Sequence, residues 1–76
     1  MKNSDHADKQ MRDRGIAQGD VDAVLAAPEK MALGDNGATN YWGYGPSGYR
    51  VRVTVADDGL TIVTVAWADY RKKAKP

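Results

Sequence analysis

The amino-acid sequence predicts an α+β domain in which two N-terminal helices pack on a three- to four-stranded antiparallel sheet. The N-terminal part spaces its apolar residues as helices do and ends each run at a glycine or a proline. The C-terminal part alternates apolar and polar residues between glycine-containing turn signals. A chain of 76 residues forms one small domain. We expect its core over residues 4–68 and a basic tail over residues 69–76.

Two helices are expected, over residues 4–14 and 18–27. The first begins at Asn3 or Ser4, both of which are good N-cap residues. It ends at Gly15, because glycine readily adopts the left-handed conformation that follows a helix. The second helix carries an apolar stripe with i, i+3 and i+4 spacing, and the proline that follows stops it.

The sheet is expected to contain the strands Thr39–Tyr44, Tyr49–Ala56 and Leu60–Trp67, with Lys30–Leu33 as a short additional strand. Tyr49–Ala56 gives the strongest signal, because its valines alternate with polar residues. Leu60–Trp67 has apolar residues on both faces, which predicts a central position in the sheet. The turn signal at residues 57–59 joins these two strands as a hairpin.

Composition excludes several classes of function. The chain has no cysteine and one histidine, so it holds no disulfide, zinc-thiolate site, cysteine nucleophile or two-imidazole site. No apolar run is long enough to span a membrane, and the polar N-terminus is unlike a signal peptide, which predicts a soluble, cytoplasmic protein.

Residues 1–48 carry five basic and seven acidic side chains, and residues 49–76 carry six basic and three acidic ones. This mildly basic C-terminal half permits contact with nucleic acid without requiring it.

A set of residues between Ser4 and Ala66 resembles a family of small microbial domains of unknown function. The family pattern has a His-Ala helix start, a Met-x-x-Arg-Gly-Ile helix end, a second helix ending in Val-Leu, and two valine-rich strands. The matching residues here are His6-Ala7, Met11, Arg14-Gly15-Ile16, Val24-Leu25, Val51–Val55 and Ile62–Val65.

The family is similar in element order to the RelE- and Brn-type ribonuclease toxins, and related domains form toxin tips of polymorphic secretion systems. The resemblance implies a bacterial domain of the RelE/barnase-like toxin class, RNA cleavage without a metal, and an antitoxin or immunity protein as a partner. Gln10 stands where the family commonly has arginine. This departure removes a cation that could hold a phosphate, which favours a protein-interaction module without enzymatic activity over a nuclease.

Metal-independent RNA cleavage requires an acid or base and cations that stabilise the charge on phosphorus. His6 is the candidate acid or base, because it is the one side chain that ordinarily titrates near neutral pH. Arg14 and Arg52 are candidate phosphate ligands, and Thr64 could add a hydroxyl contact. Each also has a structural interpretation: a solvated histidine, arginines that face water, and a β-branched strand residue.

Candidate RNA-binding residues accompany this set. Arg50 lies on the polar side of the same strand as Arg52, and four aromatic side chains offer surfaces on which unpaired bases can stack. The aromatic candidates are Tyr41, Trp42, Tyr44 and Trp67. Core packing is the alternative role for these aromatic residues.

The sequence therefore predicts a toxin-like endoribonuclease or RNA-binding domain that needs neither a metal nor another cofactor. The alternative is a protein-interaction module without enzymatic activity, which docks its partner through an exposed strand edge or the aromatic surface at residues 41–44. The expected partners are RNA and an antitoxin or immunity protein, and no membrane.

Overall fold

The computed structural model describes residues 1–72, and the side chains of residues 1–68. Two helices and five strands are present in this part of the chain, together with one 3₁₀ turn at Asp35–Gly37. In chain order the elements are β1 (Lys2–Asn3), α1 (Asp5–Arg14), α2 (Gln18–Ala26), β2 (Lys30–Leu33), β3 (Thr39–Tyr44), β4 (Tyr49–Val55) and β5 (Thr61–Lys72). The α+β class predicted from the sequence is confirmed.

The strands form one mixed sheet with the order β1-β5-β4-β3-β2. Strands β2 to β5 are antiparallel neighbours, and β1 pairs in parallel with β5 at Thr61 and Ile62. The expected antiparallel strands are thus present as β2 to β5, and the sheet gains a fifth, parallel strand that the sequence did not predict. A strand of two residues is too short to carry a periodic signal.

The central strand of the sheet is β4, whereas the strand expected in that position, Leu60–Trp67, corresponds to β5, between β1 and β4. Within the described part of the chain, β5 has a neighbour on its outer side over two residues, because β1 is so short. Its apolar character on both faces arises partly from a bulge: Val55 pairs with Ile62 and Thr54 pairs with Thr64. The extra residue between these pairs turns Ile62 into the core.

A single apolar core lies between the helices and one face of the sheet. Its buried members are Ala7, Met11, Ile16, Val21, Val24, Val51, Val53, Val55, Ile62 and Val65. Both helices contribute to this one cluster, so they cover the same face. Neither of the two helices described lies on the opposite face of the sheet.

The ends of α1 follow the sequence signals. The Ser4 hydroxyl accepts a hydrogen bond from the amide of Ala7 at 3.0 Å, so Ser4 is the N-cap. Gly15 closes the helix at φ 70°, in the left-handed region, and its amide bonds the carbonyl of Met11. Asn3 instead bridges the two helices, because its side-chain amide donates to Asp8 and to Gln18.

Helix α2 is held against the turn at residues 45–48. Asp20 in its first turn is 3% exposed, and its carboxylate accepts a hydrogen bond from the Ser47 amide at 2.9 Å. Gly45 lies so close to Asp20 that a Cβ atom there would overlap the aspartate. This contact fixes the start of β4 relative to the helices.

The β4–β5 hairpin is organised by Asp58. Its carboxylate accepts hydrogen bonds from the amides of Leu60 and Thr61 at 2.7 and 2.9 Å, and from the Thr61 hydroxyl at 2.8 Å. The bond from the Leu60 amide, followed by those from Thr61, lowers the pKa of Asp58 below its usual value. The hairpin predicted at residues 57–59 is thus confirmed.

The chain continues in β5 through Lys72, so residues 69–72 of the predicted basic tail belong to a strand. Residues 73–76 of that tail lie outside the described residues. Within residues 1–72, neither helix has the length and apolar character needed to cross a membrane.

Candidate nucleic-acid interface

The face of the sheet opposite the helices carries a cluster of cations and aromatic rings. Strand side chains alternate between faces, so the burial of the β4 valines directs Arg50 and Arg52 to the other side. In β3, Tyr44 lies opposite Arg50 and Trp42 lies opposite Arg52. Lys30 in β2 lies opposite Trp42. We call these five residues the open face.

Each ring of the open face has a cationic neighbour. The Lys30 ammonium lies 5.0 Å from the centroid of the Trp42 ring, within the range of a cation–π contact. Arg52 lies on the other side of Trp42 in the same row across the sheet. Trp42 is therefore flanked by positive charge on both sides, and Tyr44 has Arg50 on one side.

Glu29 introduces a carboxylate into this cluster. Its Oε1 lies 3.4 Å from Nε of Arg50, and its amide donates to the Trp42 carbonyl at 2.7 Å. The Arg50 side chain is 24% exposed and the Glu29 side chain 53% exposed. This ion pair is therefore open to solvent on one side and is a weak one.

The two arginines retain hydrogen-bonding capacity. Among the described side chains, Nε of Arg50 and Nε of Arg52 are covered from solvent and have no hydrogen-bond partner. Nε of Arg50 nevertheless faces the Glu29 carboxylate, so Nε of Arg52 is the donor without an acceptor, a condition that is unfavourable by about 1–3 kcal/mol. Guanidinium groups in this condition favour a ligand that is rich in acceptor oxygens, such as a phosphate.

A polar row continues the open face towards the β4–β5 hairpin. The Thr54 hydroxyl donates to Oδ1 of Asn40 at 2.5 Å, and Thr64 lies opposite Thr54 in the next strand. The candidate hydroxyl of Thr64 thus shares a face with Arg50 and Arg52. Hydroxyl and amide groups in this position can hydrogen bond with base edges or sugar hydroxyls.

The structure places His6 and Arg14 elsewhere, on α1, which packs on the other face of the sheet. His6 is exposed at the start of the helix. Nη1 of Arg14 donates to the Val65 carbonyl at 2.7 Å, while Oε1 of Gln10 accepts from the Val65 amide at 2.9 Å. These two side chains satisfy backbone groups on the outer edge of β5, which pairs with no other strand at this point in the described part of the chain. The four candidate catalytic residues are therefore divided between two faces.

Tyr41 and Trp67 also lie on the helix side of the sheet. Both pack against the core, and the indole of Trp67 donates to the Arg14 carbonyl at 2.9 Å. The Trp67 ring also meets Tyr49 edge-to-face, with centroids 5.8 Å apart. Of the four aromatic candidates, Trp42 and Tyr44 are thus the two on the open face.

Lys30 of the open face and the adjacent Glu29 were not predicted from the sequence as parts of a site. Their signal was the turn at residues 34–37: once it is read as a hairpin, Leu33 pairs with Thr39 and Lys30 with Trp42. The turn itself is closed by the Gly34 amide, which donates to the carbonyl of Ala38.

The fold and this surface together define an α+β domain with an uncovered sheet face that is cationic and aromatic. No family model, curated protein or solved structure matches the chain. Among the described residues, no three or more histidine, aspartate or glutamate side chains are grouped so that they could hold a metal ion.

Proposed function

We propose that this domain binds RNA through its open face. The observation that carries the proposal is the cross-strand pairing of Trp42 with Arg52 and of Tyr44 with Arg50. This pairing sets two rings that can stack on bases beside two cations that can hold phosphates. The polar row at Thr54 supplies further hydrogen-bonding groups for the sugar or the bases.

Binding is favoured over cleavage by the position of His6. Acid–base catalysis requires the histidine within hydrogen-bond reach of the reacting oxygen, while the phosphate is held by the arginines. His6 lies on α1 and Arg52 faces away from the helices, so one phosphate does not reach both without a rearrangement of the fold. The resemblance to ribonuclease toxins then supports RNA as the ligand of a relative that binds it uncleaved.

Fluorescence anisotropy with a labelled 20-nucleotide RNA of mixed sequence tests the proposal. We expect Arg52→Gln to weaken binding about tenfold, or about 1.4 kcal/mol, because one charge-assisted phosphate contact is lost. The slope of log Kd against the logarithm of the salt concentration should decrease by about one. Arg12→Gln is the matched control, since Arg12 is exposed in the last turn of α1 on the helix side.

Equal affinities of the Arg52→Gln and Arg12→Gln variants, with both shown by circular dichroism to be folded, would contradict the proposal.

Incubating the same RNA with the chain in EDTA, beside a His6→Ala variant, separates binding from cleavage. We expect the RNA to remain intact with both proteins. Cleavage that depends on His6 would instead support an endoribonuclease, and no affinity for RNA would favour a protein-interaction module.

A further inference from the structure

We infer that the open face holds a single strand of RNA, with two successive bases separated from each other and stacked on Trp42 and Tyr44. This inference rests on the proposed function and specifies its ligand. It depends on the spacing of the two rings, on the cations beside them, and on the lysine that now covers one of them.

The spacing of the rings excludes a stacked helix. Trp42 and Tyr44 are two residues apart on one strand, so their Cα atoms are about 6.6 Å apart along β3. Successive bases in a duplex strand are about 3.4 Å apart. Neighbouring bases therefore reach both rings only when they are unstacked, which a single strand permits and a duplex does not.

The charges complement such a strand. Arg50 and Arg52 are also two residues apart on β4, and each lies directly opposite one of the rings. The cations thus repeat with the same period as the stacking surfaces. A strand with bases on β3 carries its phosphates along β4. In the described part of the chain, Nε of Arg52 has no hydrogen-bond partner there, and Nε of Arg50 has its exposed ion pair with Glu29.

Lys30 occupies the Trp42 ring in the free protein, with its ammonium 5.0 Å from the ring centroid. A cation–π contact at an exposed site is weaker than the stacking of a base on an aromatic ring. An incoming base therefore displaces the ammonium, and the freed charge then becomes available to a phosphate. Lys30 keeps the ring covered until a strand arrives.

Tryptophan fluorescence tests the stacking, because the two tryptophans of the chain lie on opposite sides of the sheet. In the Trp67→Phe variant, Trp42 is the only tryptophan. In the Trp42→Phe variant, Trp67 is the only tryptophan. The probes are a 12-nucleotide oligouridylate, an abasic sugar-phosphate strand of equal length, and a blunt GC-rich RNA duplex. We expect oligouridylate to quench the Trp67→Phe variant and to leave Trp42→Phe unchanged.

Affinities measured with the same probes on the unaltered chain provide the second readout. Oligouridylate should bind at least tenfold more tightly than either the abasic strand or the duplex, and Trp42→Leu should remove most of this preference. Comparable binding of all three probes without quenching would overturn the inference while leaving RNA binding intact. No binding of any probe would overturn both. The affinity readout also covers the case in which Trp67→Phe does not fold.

Discussion

At the scale of single residues, Glu29 is the side chain that should oppose the proposed binding of RNA. Its carboxylate lies 3.4 Å from Nε of Arg50, where it repels an approaching phosphate and occupies the arginine. Glu29→Gln removes the charge and keeps the shape of the side chain. We therefore expect tighter RNA binding, by about two- to fivefold, the range of an exposed ion pair.

The anisotropy assay measures this gain, with Asp22→Asn as the matched control. Asp22 is exposed on α2, where it accepts a hydrogen bond from Gln18 at 2.9 Å, and it lies on the helix side of the sheet. A similar gain from both variants would mean that overall charge, and not the position of Glu29, determines the affinity. Weaker binding after Glu29→Gln would assign the ion pair a supporting role.

Gln10 has a structural role that arginine is unable to fill. Its Oε1 accepts a hydrogen bond from the Val65 amide, and a guanidinium has no acceptor. The substitution Gln10→Arg should leave this partly buried amide without a partner. We expect a loss of about 1–2 kcal/mol in the free energy of unfolding.

Urea denaturation checks this prediction through a midpoint lower by roughly 1 M. Gln10→Glu is the informative control, since a carboxylate accepts the same bond and lies four residues before Arg14 on the helix. Equal midpoints for the Gln10→Arg variant and the unaltered chain would show that the hydrogen bond contributes little.

At the scale of elements, α1 protects an exposed strand edge. Beyond Ile62, no strand among residues 1–72 pairs with the outer side of β5, and Gln10 and Arg14 hydrogen bond there with the amide and carbonyl of Val65. Side chains that satisfy an edge in this way reduce its tendency to pair with another chain. The i, i+4 spacing of these two residues places both on one helix face, so a single helix performs this role.

The contact between α2 and the turn at residues 45–48 depends on the absence of a side chain at Gly45. A Cβ atom there would overlap Asp20, so Gly45→Ala should push the turn away from the helix. We expect a loss of roughly 1–3 kcal/mol in stability, as for other overpacked sites. Thermal or urea unfolding followed by circular dichroism provides the measurement.

Gly19→Ala is the control for this substitution, because it adds the same methyl group one residue from Asp20. The nearest atom to a Cβ at Gly19 is Cγ of Pro46, at an ordinary contact distance of 3.9 Å. Alanine is also the better helix former, so the stability should be unchanged or slightly higher. A comparable loss for both variants would refute the steric explanation.

At the scale of the whole molecule, the helices and most of the strands follow from local sequence signals. The complete composition of the sheet depends on residues that are far apart in the chain. The cap at Ser4, the stop at Gly15 and the bounds of Thr39–Tyr44 agree with the sequence, because each depends on neighbouring residues. Strand β1 depends on partners 59 residues away in the chain, since Lys2 pairs with Thr61 and Asn3 with Ile62. No local pattern records such a partner.

The candidate site is also predictable from local patterns in one part and dependent on long-range pairing in the other. The alternation of β4 predicted that Arg50 and Arg52 share a face, and the structure agrees. Which aromatic residues join them depended on the register between β3 and β4, which separates Trp42 from Tyr41. The position of His6 relative to Arg52 depended on which face the helices cover, a choice that the sequence left open.

The two faces of the sheet therefore have different roles, one in packing against the helices and the other as the candidate binding surface. The buried valines of β4 hold the helices, whereas Arg50 and Arg52 from the same strand face away from them. Substitutions on the open face should leave the core intact, so losses of affinity there can be measured on folded protein.

The pairing of α1 with the last strand also determines when the molecule can fold during its synthesis. Helix α1 leaves the ribosome early, yet Met11 packs in the same core as Ile62 and Val65, which are translated about 50 residues later. Until β5 emerges, the apolar side of α1 has no sheet to cover, because the first strands of the meander pack mainly beneath α2. The nascent chain thus completes its core only after the β4–β5 hairpin has left the exit tunnel.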